Sequence, residues 1–417
     1  MFERYKAYIA NAGVYTLATV IPSILTVLIN PLMALNMSPE DYAIVSYYTS
    51  FNALFAPVVA FFFVDYFIRQ YYRLDAASLR ILKGSLIKLF LSFSFGVCFL
   101  CILGLLVFVR TSHVSFSFFP YAPLAIFPLA TALPLSLASA EYKIAGDSKG
   151  YFKVSVIWGI LGALIPLLFV AFFKMGAEGR LLGSMICSAM SFIWGLYYFR
   201  DYLHIKFDYS IGREIFSFAW PLVLAAILNF FSNGYDKVIL ERQHDPVSMG
   251  YYAVGLQMAS MIGVFSTAIK STFQPDMYKA ISAKNLKKVA VVALGVILMV
   301  SVIVFLFIIF CPIIIKLLTA GRYMQALPYA RIMSLYIITS NIYYQISQFT
   351  YGIGLSKITL WNKIMGTILT IITLLFLIEH YGAIGASWGM VISYVYFAIG
   401  NTLLLYINRH KIFAGES

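Results

Sequence analysis

Ionisable side chains set in otherwise apolar sequence are where this chain could do chemistry. An unpaired charge at the centre of a bilayer costs roughly 2.5–3.5 kcal/mol or more, so it is kept only with a partner or a task. Asp65, Arg69, Asp236, Lys237, Lys270 and Arg331 lie within or at the edge of such sequence. A Lys or Arg facing a cavity would hold a phosphate or an acidic sugar, Arg through its planar fork and Lys as a point charge. An intramembrane Asp could take a proton or Na⁺. The competing reading is mutual neutralisation, Asp65 with Arg69 at helical i, i+4 spacing and Asp236 with a basic neighbour. Lys270 and Arg331 have no acidic neighbour in sequence.

Stripes of neutral polar residues accompany these charges. Asn11, Tyr15, Thr19, Pro22, Thr26 and Asn30 recur at spacings of three or four and therefore share one helical face. Asn229, Asn233 and Asp236 do the same beyond Pro221, and Gln257, Ser260, Thr267, Lys270, Ser271 and Gln274 form a broader stripe. Asn341, Tyr344, Gln345 and Gln348 combine amides with an aromatic ring, a mixture suited to sugar hydroxyls and sugar faces. Lipid penalises such stripes, so they are expected to face each other or a water-filled cavity, the alternative being hydrogen bonds from helix to helix. The candidate substrate-binding residues are Lys270, Arg69, Arg331, Lys237, Asn11, Tyr15, Asn229, Asn233, Gln257, Asn341 and Gln345. Asp65 and Asp236 are the candidate ion-coupling residues.

No catalytic constellation goes with them. The chain lacks a GxxxxGK[ST] phosphate loop, a zinc-ligand cluster and an HExxH motif, and Gly146-Asp147-Ser148-Lys149-Gly150 has turn chemistry rather than nucleotide-binding spacing. Neither catalytic residues, a metal nor a cofactor is expected, and an ATP-hydrolysing engine is disfavoured. Cys98 and Cys101 have redox-pair spacing, but apolar burial keeps thiols protonated, so all four cysteines are read as packing residues.

The elements that must position these groups are transmembrane helices. Apolar stretches at 9–35, 42–65, 84–109, 117–140, 152–173, 181–199, 214–235, 248–269, 289–315, 326–350, 358–378 and 383–407 are each near the roughly 20 residues that a crossing needs. Hydrophobic residues make up 61% and charged residues 11% of the 417, too apolar for a soluble domain. Counted loop by loop, 22 Lys and Arg fall on one side and 8 on the other, which accounts for all 30. Both termini are therefore expected in the cytoplasm. The net charge of +13 reflects this topology rather than nucleic acid. Arg69, Arg73, Arg80, Lys83 and Lys88, and Lys270, Lys279, Lys284, Lys287 and Lys288, are read mainly as residues drawn to anionic headgroups. Glu141, Arg110 and Glu379 fall at span ends and are read as interfacial. The first apolar segment lacks a small-residue cleavage site and is read as retained.

Six spans plus six points to a duplication. SPEDYAIVSYYTSFNAL from Ser38 and DPVSMGYYAVGLQMASM from Asp245 each lead from a Pro-containing external turn into a Tyr-rich span. The expected fold is an all-α integral membrane protein of twelve transmembrane helices. They form two six-helix bundles, 1–205 and 206–417, related by a pseudo-two-fold along the membrane normal around a central cavity.

The stretch from Ile211, IGREIFSFAWPLVLAAILNFFSNGYDKVIL, followed by MGYYAVGLQMASMIGVFSTAIKSTFQPDMYK, resembles the seventh and eighth helices of bacterial polysaccharide repeat-unit flippases of the multidrug/oligosaccharidyl-lipid/polysaccharide exporter superfamily. The shared pattern is Phe-Ala-x-Pro near the helix start, Asp236-Lys237 at its outer end, and Gly250-Tyr251-Tyr252 after a short loop. Pro39-Glu40-Asp41-Tyr42 is the first-half counterpart. The resemblance implies an inner-membrane flippase that moves an undecaprenyl-diphosphate-linked oligosaccharide from the cytoplasmic to the periplasmic leaflet by alternating access, driven by H⁺ or Na⁺. It implies membrane lipids, a glycan polymerase and a chain-length regulator as partners. Relatives with several Arg in the first helix carry peptidoglycan precursors, whereas this first span has no charge from Ala7 to Pro39, which argues against that cargo. A drug/cation exporter of the same superfamily would share the fold but should present carboxylates to its substrate. A glycan polymerase or ligase would need a long periplasmic loop with catalytic Arg or His, and none is present.

Overall fold

The structure is a computed structural model that describes residues 2–408, with side chains from residue 13 onward except at 356. All the regular structure described is helical. The medium requires it, since no water is present to satisfy N–H and C=O groups and a helix bonds them internally. Among the described residues ten helices are long and apolar enough to cross a membrane, and the chain is a multi-pass membrane protein.

The count differs from the expected twelve for two reasons. The spans expected at 358–378 and 383–407 run together as Ser356–Ile407, which is broken only at Gly382, where φ is 55° and ψ is −135°. Leu327–Gly352 covers the span expected at 326–350, but Asn341, Gln345 and Gln348 dilute its apolarity. Those amides are tolerated because they are buried in protein rather than exposed to lipid.

The chain divides into two compact units, Met1–Ile227 and Leu228–Ser417. The division falls inside the helix Tyr209–Asn233. The reason is packing: Ile215, Ala219 and Val223 from that helix join the aromatic-rich core of the amino-terminal unit.

Helix starts in both units follow from the sequence motifs. At Pro39–Ser50 the Asp41 N–H donates to the Ser38 hydroxyl at 3.1 Å and the Ser38 N–H donates to the Asp41 carboxylate at 2.7 Å, a reciprocal cap. The Asp41 carboxylate also accepts the Ala177 N–H at 2.8 Å, so it caps the start of Gly176–Tyr198 as well. Asp245 is the simpler counterpart, accepting the Ser248 N–H at 3.0 Å with Pro246 in the first turn. Asp147 caps the Gly150 N–H at 2.8 Å, so the glycine-flanked loop is a helix start, as its turn chemistry indicates.

Two further features fix the amino-terminal unit. Phe61 and Phe62 have left-handed backbones, with φ of 42° and 50°, and separate Asn52–Ala60 from Phe63–Gln70. Bulky residues are strained in that region, and ring contacts of Phe61 with Phe93 at 5.1 Å and Phe216 at 5.5 Å hold it there. At Gly183 a Cβ would lie 2.4 Å from the Pro166 Cα, so Ser148–Leu167 and Gly176–Tyr198 meet backbone to backbone. In the carboxy-terminal unit, Leu327–Gly352 packs against Pro246–Ser282, Leu286–Leu318 and Ser356–Ile407. Leu286–Leu318 leaves Leu294, Leu298, Val302, Phe305 and Ile309 exposed, an apolar face suited to lipid.

Candidate functional site

The carboxy-terminal unit gathers most of the candidate residues. Gly234 ends the polar stripe helix at Asn233, and the short helix Tyr235–Glu241 carries Asp236 and Lys237 inward. Both are buried. The Lys237 ammonium lies 2.9 Å from one Asp236 carboxylate oxygen and 3.0 Å from the other, and it also donates to the Asn233 carbonyl at 3.1 Å. The Tyr252 hydroxyl donates to the same carboxylate. Asp236 therefore has the basic partner that neutralisation requires, and a buried pair with these extra bonds keeps its charges only because each is satisfied in place.

Lys270 has a different environment. It is half-buried on Pro246–Ser282, and its ammonium stands 4.7 Å from the centroid of the Tyr344 ring. The Tyr344 hydroxyl accepts from the Gln348 amide at 3.0 Å. Among the described residues no carboxylate comes within 4.0 Å of Lys270. A ring face attracts a cation by about 0.5–2 kcal/mol without cancelling its charge, so Lys270 stays able to bind an anion.

The neutral candidates divide between packing and display. Asn341 and Gln345 are buried, and the Gln345 amide donates to the Asn341 oxygen at 3.2 Å, one turn along the same helix. The Asn341 amide nitrogen is enclosed without a partner among the described residues. The Asn233 amide donates to the Asn229 carbonyl at 3.1 Å, while its oxygen accepts from Tyr394 at 3.4 Å. Gln257 is half-buried, and Arg331 is exposed in the second turn of Leu327–Gly352, outside both lysine clusters among the described contacts.

Lys363 is a functional candidate that the sequence reading lacks. It donates to the Asn229 side-chain oxygen at 2.7 Å, with no carboxylate within 4.0 Å among the described residues. The signal available in the sequence is a charge set inside the span expected at 358–378.

The amino-terminal unit corrects several readings. The side chain of Asn11 lies outside the described residues, while the Tyr15 ring packs 5.4 Å from that of Tyr151. The hydroxyls of its stripe bond to their own helix: Thr19 donates to the Thr16 carbonyl at 2.9 Å and Thr26 to the Pro22 carbonyl at 2.9 Å. Such back-bonding satisfies a hydroxyl without any partner helix, so spaced Ser and Thr overstate the polarity of a face. Asp65 and Arg69 form no ion pair among the described residues; the Arg69 guanidinium lies 5.2 Å from the Phe218 ring centroid. Asp65 is exposed in the first turn of Phe63–Gln70, where the helix N-terminus favours a carboxylate. Lys83 is buried and paired with Glu141, with the Tyr202 ring 5.0 Å from its ammonium, rather than directed at headgroups.

Comparison with known proteins adds to this geometry. Residues 8–281 match the family described as polysaccharide biosynthesis protein. A protein of the Lsg locus of Haemophilus influenzae is 21% identical over an alignment covering 66% of this chain and 67% of that protein. Among solved structures, the lipid II flippase MurJ in an inward closed conformation superposes with a TM-score of 0.73 at 14% identity, covering 96% of this chain and 89% of that one. An inward-facing multidrug resistance MATE family transporter of the MOP superfamily gives a TM-score of 0.69 at 14% identity, covering 96% and 98%. At such identities the two structures establish the fold alone.

Proposed function

Because this chain belongs to the polysaccharide biosynthesis protein family and has the fold of MOP-superfamily transporters, we propose that it is a flippase for an undecaprenyl-diphosphate-linked oligosaccharide. It carries its cargo from the cytoplasmic to the periplasmic leaflet of a bacterial inner membrane by alternating access. In this reading the chain crosses twelve times, the break at Gly382 separating the last two crossings, so both termini share one side, and the excess of Lys and Arg on that side supports the cytoplasm. The chain is a transporter and not an enzyme.

The observation that carries this reading is the placement of Lys270 in the carboxy-terminal unit. Lys270 holds a positive charge against a phenol ring instead of a carboxylate, and a diphosphate is the group that such a cation stabilises. A diphosphate with attached sugars cannot cross about 30 Å of hydrocarbon unaided. Gln257 and Tyr344, both half-buried in the same unit, offer an amide and a phenol ring to hydroxyl-rich cargo. H⁺ or Na⁺ supplies the drive, with Asp65 the freer of the two candidate carboxylates because Asp236 is held by Lys237 and Tyr252. Export of a cationic drug is the alternative on the same fold, and it has support only from exposed carboxylates such as Asp65.

The test is complementation of surface glycan in a strain lacking the chain. Lys270→Ala should abolish or sharply reduce display at normal membrane abundance, and Lys270→Arg should retain much of it. Full display by Lys270→Ala at normal abundance would remove the site assignment.

A further inference from the structure

Lys83 and Lys237, both buried, each have a carboxylate partner. Lys363 is half-buried and has an amide instead, the Asn229 oxygen at 2.7 Å. An ammonium has three donors and a full charge; one neutral acceptor satisfies one donor and leaves the charge uncompensated. A lysine close to a helix end would normally extend its stem toward the aqueous rim. Lys363 instead reaches Asn229, one turn before the end of the helix Tyr209–Asn233.

The helix that carries Lys363 is itself anchored. Asn362, adjacent in sequence and buried, donates to the Phe397 carbonyl at 2.8 Å and so fixes the rotation of the helix that carries Lys363. The backbone carbonyl of Asn229 accepts from the Asn233 amide at 3.1 Å and the backbone carbonyl of Asn233 accepts from Lys237 at 3.1 Å, while the Asn229 side chain, on the exposed face of its helix, is bonded by Lys363. The Asn229 side-chain oxygen is thus the neutral acceptor on which the ammonium rests.

We propose that Lys363 is a phosphate-binding residue of the carboxy-terminal unit, with Asn229 as the neutral acceptor that holds its ammonium until a diphosphate oxygen replaces the amide. The exchange is favourable because a diphosphate oxygen brings the opposite charge that a neutral amide cannot supply to the ammonium. No covalent step is involved. The proposal rests on the flippase reading and deepens it by assigning a second lysine, besides Lys270, to the diphosphate.

Binding of undecaprenyl diphosphate to the purified full-length protein in nanodiscs of neutral lipid tests it, with undecaprenol as the uncharged control. Wild type should bind the diphosphate more tightly than undecaprenol. Lys363→Ala should weaken diphosphate binding on the order of 10- to 100-fold, the loss expected for one charge-assisted bond, with undecaprenol binding unchanged. Lys363→Arg should stay within a few-fold of wild type. Asn229→Asp keeps the lysine but gives it a permanent counter-charge, and it should weaken diphosphate binding to a similar degree. Each variant's ligand-free melting temperature shows whether the fold survives, and Asn229→Asp carries the test should Lys363→Ala fail to fold. Competition by free pyrophosphate in wild type, lost in Lys363→Ala, would support phosphate recognition as such. Equal competition by phosphatidylglycerol, lost in the same variant, would overturn the diphosphate assignment in favour of a headgroup site. Failure of wild type to prefer the diphosphate over undecaprenol would overturn the flippase reading itself. A wild-type preference kept in full by both Lys363→Ala and Asn229→Asp would overturn the role of Lys363 alone.

Discussion

Lys237 and Lys270 are the same side chain in two settings, and removing each should have opposite consequences. Lys237 neutralises buried Asp236, so Lys237→Ala leaves an uncompensated buried carboxylate, a loss of about 3–5 kcal/mol. Its expected signature is low membrane abundance and a lower melting temperature, with transport falling only as the protein falls. Lys270→Ala removes a cation from a ring face and should spare abundance while reducing transport. Blot and glycan display measured on the same cells separate the two, and equal abundance of both variants at wild-type level would contradict the structural role of Lys237. Residues of this kind were partly legible in the sequence. Lys270 stood out because no acid lies near it along the chain, whereas Lys363 merged with the basic residues that flank many spans. The pairing of Lys83 with Glu141 could not be read, because the two lie far apart in sequence and meet only in the folded unit. Stripes of Ser and Thr misled in the other direction, since Thr19, Thr26 and Thr267 bond to their own helix.

Helix starts are where sequence and structure agree most closely at the scale of elements. Asp41 caps its own helix and also the Ala177 N–H, so Asp41→Ala should cost about 1 kcal/mol at each helix start and lower the melting temperature more than Asp245→Ala, which removes a single cap. Equal shifts for the two variants would contradict the double cap. Gly382 has positive φ inside Ser356–Ile407. Gly382→Ala should therefore destabilise by about 1–3 kcal/mol, read as a lower melting temperature. The motif SPEDY and its counterpart from Asp245 were visible as a repeat, and the structure explains the repeat as capping chemistry. Apolar length located the helices, but it could not show that Phe61 and Phe62 interrupt one of them, because that break depends on ring contacts with Phe93 and Phe216.

At the scale of the whole molecule, the asymmetry of Lys and Arg between alternate loops sets the expected orientation. Reporter fusions at Ala283 and Ser356 should read cytoplasmic and fusions at Pro39 and His244 periplasmic; reversal of any of these would contradict twelve crossings. The transporter fold was legible because a bilayer leaves few architectures open and the Ile211–Lys279 region carries a family pattern, which the match over residues 8–281 supports. The central claim is translocation of a lipid-linked glycan, and reconstitution tests it most directly. Proteoliposomes holding the purified chain and a labelled undecaprenyl-diphosphate oligosaccharide in one leaflet are placed under an ion gradient, and the label is probed from the opposite side with a membrane-impermeant glycosidase. The expected result is protein-dependent appearance of cleavable glycan, reduced by Lys270→Ala. Glycan that stays protected, in vesicles that do export a cationic dye under the same gradient, would contradict the account and assign the chain to cation export.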